Sequence, residues 1–285
     1  MDLILLYSAG FGKSLRTVRV IILMWTVSLA GHILVFIPLM RNLEMILDGS
    51  IIPELFYDGF YLEIFNDVMR AVMPAFTTFS IAFFLITIII FLLNTFLTAG
   101  LFRLLAGDWR KPYGRRAFLL GADRGFGGFL FIAIVAGSIL FLLFAILVPV
   151  PMAFTLFSMA GNREIMIVGM AGGTLFLIIS PFVLLVADYA RVLLTADKWL
   201  TPFRAMVEGF QCLRGRMLKG WLVMAVLLAL SMAMGWSAFR LAASGRSQTG
   251  FLWFLLPVLS QALFFIGIWV KVIRYGTVTA FHEGH

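Results

Sequence analysis

A single cysteine, Cys212, among 285 residues excludes an intrachain disulfide and any paired-thiol metal or redox motif. Charge is scarce as well. Only 13% of residues are Asp, Glu, Lys or Arg, about half of what a soluble domain carries. The three histidines, His32, His282 and His285, form no HExxH pair, and no GxSxG serine motif occurs. His282 and His285 stand in a closing HEGH that reads as a free tail. The stretch AGFGKS at 9–14 imitates the end of a phosphate-binding loop, but Tyr7 occupies the place of its first glycine. No cleavable secretory signal is expected, because Asp2 stands where basic residues belong and the following apolar stretch is short. Together these absences leave no catalytic set, no metal ligands and no cofactor implied.

What the chain has instead is apolar surface. Hydrophobic residues make up 62%, with 30 Phe and 15 Met, and mean hydropathy is +1.04. Six apolar runs, at 18–40, 74–102, 126–148, 166–186, 221–241 and 251–273, each reach the roughly 20 residues that cross a hydrocarbon core as helix. The runs are continuous and do not alternate, which favours helices over barrel strands. The expectation is an all-α polytopic membrane protein of one domain, with six transmembrane helices.

Basic residues sort by side. Lys13, Arg16 and Arg19 precede the first run; connector 103–125 holds Arg103, Arg110, Lys111, Arg115, Arg116 and Arg124. Connector 187–219 holds Arg191, Lys198, Arg204, Arg214, Arg216 and Lys219, and the C-terminal end has Lys271 and Arg274. The opposite loops keep only Arg41, Arg70, Arg163, Arg240 and Arg246. This asymmetry places both termini in the cytoplasm. A net charge of +8 spread along a membrane boundary suits anionic headgroups, not nucleic acid.

The two connectors resemble one another. Without gaps, Arg103, Leu105, Arg116, Ala117 and Gly121 align with Arg191, Leu193, Arg204, Ala205 and Gly209. Gly10 precedes the first run as Gly121 and Gly209 precede the third and fifth. Three tandem hairpins follow as a possible repeat, 10–103, 121–191 and 209–274. Within the second connector, Leu200, Phe203, Met206, Val207, Phe210 and Leu213 share one face of an amphipathic helix. Such a helix lies in the interface or packs beneath the bundle. The outward loop 41–70 is acidic, with Glu44, Asp48, Glu54, Asp58, Glu63 and Asp67. It reads as a short surface helix from Phe60 onward and as a possible protein-partner or cation site. The next outward loop, 149–164, has Pro149 and Pro151 as expected helix breakers.

Polar groups inside the runs are few, and amide or ionisable groups at depth are functional candidates by default. His32, Asn94 and Gln261 are those candidates; packing between helices is the competing reading. Arg103, Asp188, Arg191 and Arg274 mark the membrane boundary. Asp188 and Arg191 stand three apart and are spaced to pair on one helix.

The segments FGKSLRTVRVIILMWTVSLAGHILVFIPL, LFYDGFYLEIF, LLNTFLTAGLFRLL, FLLGADRGFGGFLFI and VADYARVLL, in that order, resemble a family of bacterial six-span integral membrane proteins without assigned function. The resemblance implies a cytoplasmic-membrane location and adds no catalytic residue. His32 stands where such proteins more often carry an apolar side chain, so it inherits no role. The expected function is a non-enzymatic structural, assembly or lipid-associated component. The alternative is a transporter or channel for a small or amphiphilic solute, its path lined by His32, Asn94 and Gln261.

Overall fold

A computed structural model describes residues 3–47, 62–107, 114–157, 162–197, 199–245 and 251–283. Among these residues the chain forms helices and no strand: α1 (Leu3–Arg16), α2 (Val18–Leu47), α3 (Leu62–Leu105), α4 (Arg115–Leu147), α5 (Pro149–Phe157), α6 (Asn162–Ala196), α7 (Pro202–Leu213), α8 (Met217–Gly245) and α9 (Phe251–Glu283). Five stretches, within α3, across α4 and α5, and within α6, α8 and α9, are long and apolar enough to cross a membrane. The count reaches six if α1 and the start of α2 form one broken span. Large side chains such as Phe141, Phe154, Ile146 and Met170 are exposed along these helices. In water they would be a heavy liability; lipid is their solvent. The chain is an all-α polytopic membrane protein.

Several boundaries differ from the sequence expectation. The apolar runs mark where helices cross, but the helices continue into polar sequence, since polar side chains propagate a helix as readily as apolar ones. Thus α3 starts at Leu62, so residues 62–70 of the acidic loop open a long helix and form no separate surface helix. Residues 48–61 of that loop lie outside the described residues. The helix break expected near Pro149 is present, since α4 ends at Leu147; Pro149 and Pro151 then lie in the first turn of α5, where amides have no helical acceptor to lose. Likewise AGFGKS is helical within α1, and His282 and Glu283 belong to α9, not to a free tail. Between α1 and α2 the break is local. The Thr17 hydroxyl donates to the Ser14 carbonyl at 2.9 Å, and the Thr17 carbonyl accepts from Val20 and Ile21.

Contacts divide the chain into a smaller unit, Leu23–Asn94, and a larger one, Met1–Ile22 with Thr95–His285. In the smaller unit, Gly31 of α2 sits against Ile90 of α3 and leaves no room for a side chain. The larger unit is built around α6, which packs against α4, α5, α7, α8 and α9. Helix α1 packs against α9.

The three glycines that head the sequence repeat share one structural job in the larger unit. Gly121 lies against the Arg103 side chain at the end of α3. Gly209 lies against the Ala190 backbone of α6, where a Cβ would meet Ala190 N at 3.4 Å. Gly10 lies against α9, where a Cβ would stand 2.9 Å from the Ile273 carbonyl oxygen. Each glycine therefore seats its helix on the arginine-bearing end of another, and the first arm takes the last helix as partner.

Candidate functional site

The polar centre of the larger unit is the last three turns of α6, VADYARVLLTA. Small residues surround the acid: Ala187 and Ala190 are buried and meet Ile132 and Ala136 of α4 and Ala205 of α7. Close approach by three helices takes Asp188 entirely out of solvent, at 0% exposure. A lone buried carboxylate would be very costly, so it must find charge partners. Arg191, one turn on, donates from Nη1 to Asp188 Oδ1 at 2.5 Å. Arg274 of α9 brings Nε to 3.0 Å from Oδ2. That second contact is an ion pair off the line of a hydrogen bond, since neither atom has a hydrogen-bond partner.

Aromatic rings surround this group. The Arg274 guanidinium lies 5.1 Å from the Tyr275 ring centre, and Tyr275 packs on Phe102 at 4.9 Å between ring centres. Tyr189, also buried, places its hydroxyl 3.2 Å from His282 Nδ1. Beyond it, Lys13 of α1 bridges both Glu283 carboxylate oxygens at 2.7 Å. Trp269 Nε1–H donates to the buried Ser14 hydroxyl at 2.9 Å, and its ring stacks on Phe11. Ion pairs and hydrogen bonds thus tie α9 to α6 on one side and to α1 on the other.

Arg103 is placed differently. Its stem runs over Gly121, and its Nη1 reaches only to 3.5 Å from the Thr195 carbonyl oxygen. It lines a cavity of about 510 Å³ between the ends of α3 and α6, the start of α4 and the approach to α7. Arg124 and Asp197 share the lining, with Leu120, Leu194 and Leu200 among its apolar members.

Of the residues singled out by sequence, Asp188, Arg191 and Arg274 are brought together, and Arg103 stands at the cavity. Asn94 is half-buried in the last third of α3, and His32 lies on α2, both in the smaller unit. Gln261 of the larger unit is exposed on α9. Sequence spacing found the Asp188–Arg191 pair. It did not assign Arg274 to the same carboxylate, although the repeat alignment, which sets Arg274 level with Arg191, carried that signal. The Tyr189–His282 and Lys13–Glu283 contacts join residues far apart in the chain and had no local sign. Compared with protein-family models, curated proteins and solved structures, the chain matches none.

Proposed function

We propose that this protein is a non-enzymatic, lipid-associated structural component of the bacterial cytoplasmic membrane, with both termini in the cytoplasm. The observation that carries the reading is the pairing of two features at the arginine-bearing helix ends. One is a buried carboxylate already engaged by two guanidinium groups, which commits Asp188 to holding α6 and α9 together. The other is α7, which packs on α6 through buried Ala205, Gly209 and Leu213 and exposes Phe203, Val207 and Phe210. An apolar helix face beside arginines matches the boundary between acyl chains and anionic headgroups. Trp199, 94% exposed just before α7, suits the same depth.

The test is purification in native lipid nanodiscs, with mass-spectrometric identification of the retained lipids, beside flux assays in proteoliposomes. Retention of anionic lipid above its bulk share, without solute flux, supports the proposal. A lipid complement equal to the bulk membrane, or saturable flux of a solute, overturns it.

A further inference from the structure

Arg103, Arg191 and Arg274, which close the three hairpins of the sequence alignment, have their charges met unequally. Three residues before Arg191 stands Asp188, and Arg274 reaches the same carboxylate from α9. Three residues before Arg103 stands Gly100, which lies so close to the Phe118 ring that a Cβ would sit 2.5 Å from it. Neither a carboxylate nor any other side chain fits there. Arg103 is left with one backbone carbonyl at 3.5 Å and an open cavity in front of it.

The cavity's charge is uneven in the same sense. Arg124, one turn beyond Gly121 on α4, is exposed and has no ion-pair partner among the described residues. Asp197, the one lining carboxylate among the described residues, accepts the backbone N–H of Trp199 at 2.9 Å and so caps the turn into α7. Two guanidinium groups therefore face a space with one partly engaged carboxylate. Gly121, Gly125 and Gly128 of α4 line the space and lie close to their neighbours; a Cβ at Gly128 would stand 3.0 Å from Leu194 Cδ1. The rest of the wall is largely apolar, with Leu120, Leu194 and Leu200.

We propose that this cavity binds the phosphate headgroup of an anionic phospholipid, with Arg103 and Arg124 as the phosphate ligands and the leucines against the start of the acyl chains. Guanidinium groups match phosphate oxygens through paired N–H donors, and their hydrogen bonds to charge are the strong kind. The apolar wall explains why the ligand is an amphiphile and not a free phosphate ester. The inference rests on the lipid-associated reading above and assigns it one site.

The test uses the full chain, purified in detergent and stripped of lipid. Lipid binding is read by native mass spectrometry with dioleoyl phosphatidylglycerol, with dioleoyl phosphatidylcholine, and with glycerol 1-phosphate as the soluble headgroup. The expected result is a preference of about tenfold or more for phosphatidylglycerol over phosphatidylcholine, and no measurable binding of glycerol 1-phosphate. R103Q/R124Q should lose that preference, as the removal of charge-assisted bonds predicts. R204Q, which removes an exposed arginine of α7 outside the cavity, should keep it. Because R103Q could disturb the Gly121 crossing, R124Q alone serves as the second variant. It should weaken binding about tenfold or more while the melting temperature is retained. Equal binding of glycerol 1-phosphate would mean a soluble ester as ligand and overturn the lipid assignment. An equal loss in R204Q, or unchanged binding in R124Q, would mean a general headgroup belt and overturn the site. In those last outcomes lipid is still retained, so the broader lipid-associated reading stands; it fails separately if the native preparation holds no enriched lipid.

Discussion

A carboxylate with no exposed surface, set between two guanidinium groups, is held by geometry that no single substitution can preserve. Asp188→Asn keeps the shape and removes the charge, leaving Arg191 and Arg274 facing each other in a site where only 13% and 11% of their side-chain surface meets solvent. Breaking a buried pair from one side typically costs about 3–5 kcal/mol. We therefore expect D188N to unfold far more readily than the parent in detergent thermal melts, whereas R204Q, which breaks the exposed Arg204–Glu208 pair, should change stability by less than about 1 kcal/mol. Glycines give a second contrast at this scale. Gly10 abuts the α9 backbone, so Gly10→Leu should cost about 1–3 kcal/mol or more by overpacking. Gly12 has open space around it, and Gly12→Ala should stabilise α1 by up to about 1 kcal/mol through helix propensity. The same melts read both.

Helix α7 shows what a helical wheel can and cannot decide. Its apolar arc was legible from spacing, which left two places for it, in the interface or beneath the bundle. The arc divides: Leu213 is buried and Leu200 and Met206 pack inward beside Ala205 and Gly209, while Phe203, Val207 and Phe210 point outward. In a soluble protein the larger apolar side chains would be buried first. Beside a membrane, close helix approach depends on small residues, and large ones are solvated by lipid. Two sets of substitutions should therefore part. Gly209→Leu, aimed at the Ala190 backbone, should lower the melting temperature of the full chain. Phe203→Glu with Phe210→Glu should leave the melt nearly unchanged, yet abolish vesicle binding by a peptide of residues 198–219. Binding of the unaltered peptide should weaken but persist at about 1 M salt, where the Debye length falls to about 3 Å. If the peptide never binds vesicles, the outward face is covered by protein and not by lipid. Apolar runs made the crossing helices legible in the same way, because about 20 residues without charge have few soluble uses. Helix ends were not legible, since Asp188 and Arg191 sit within α6 and the chain stays helical to Glu283 in α9.

At the scale of the molecule, the proposed sidedness rests on arginines and lysines, and the single thiol allows that assignment to be checked without engineering. Cys212 is exposed at the end of α7. A membrane-impermeant maleimide should leave it unmodified in intact cells and modify it after permeabilisation; modification in intact cells would invert the topology. What no local pattern discloses is the partnership of the first helix with the last. Tyr7, Gly10, Lys13 and Ser14 all meet residues of α8 or α9. On the ribosome, α1 emerges long before the last helix, and Gly10, Lys13 and Ser14 gain their α9 partners only when that helix has left the exit tunnel. Insertion of the intervening helices cannot complete the fold; only the arrival of Trp269, Gly276 and Glu283 does. A chain stalled before α9 therefore leaves Gly10, Lys13 and Ser14 of α1 without the contacts that they make in the finished protein.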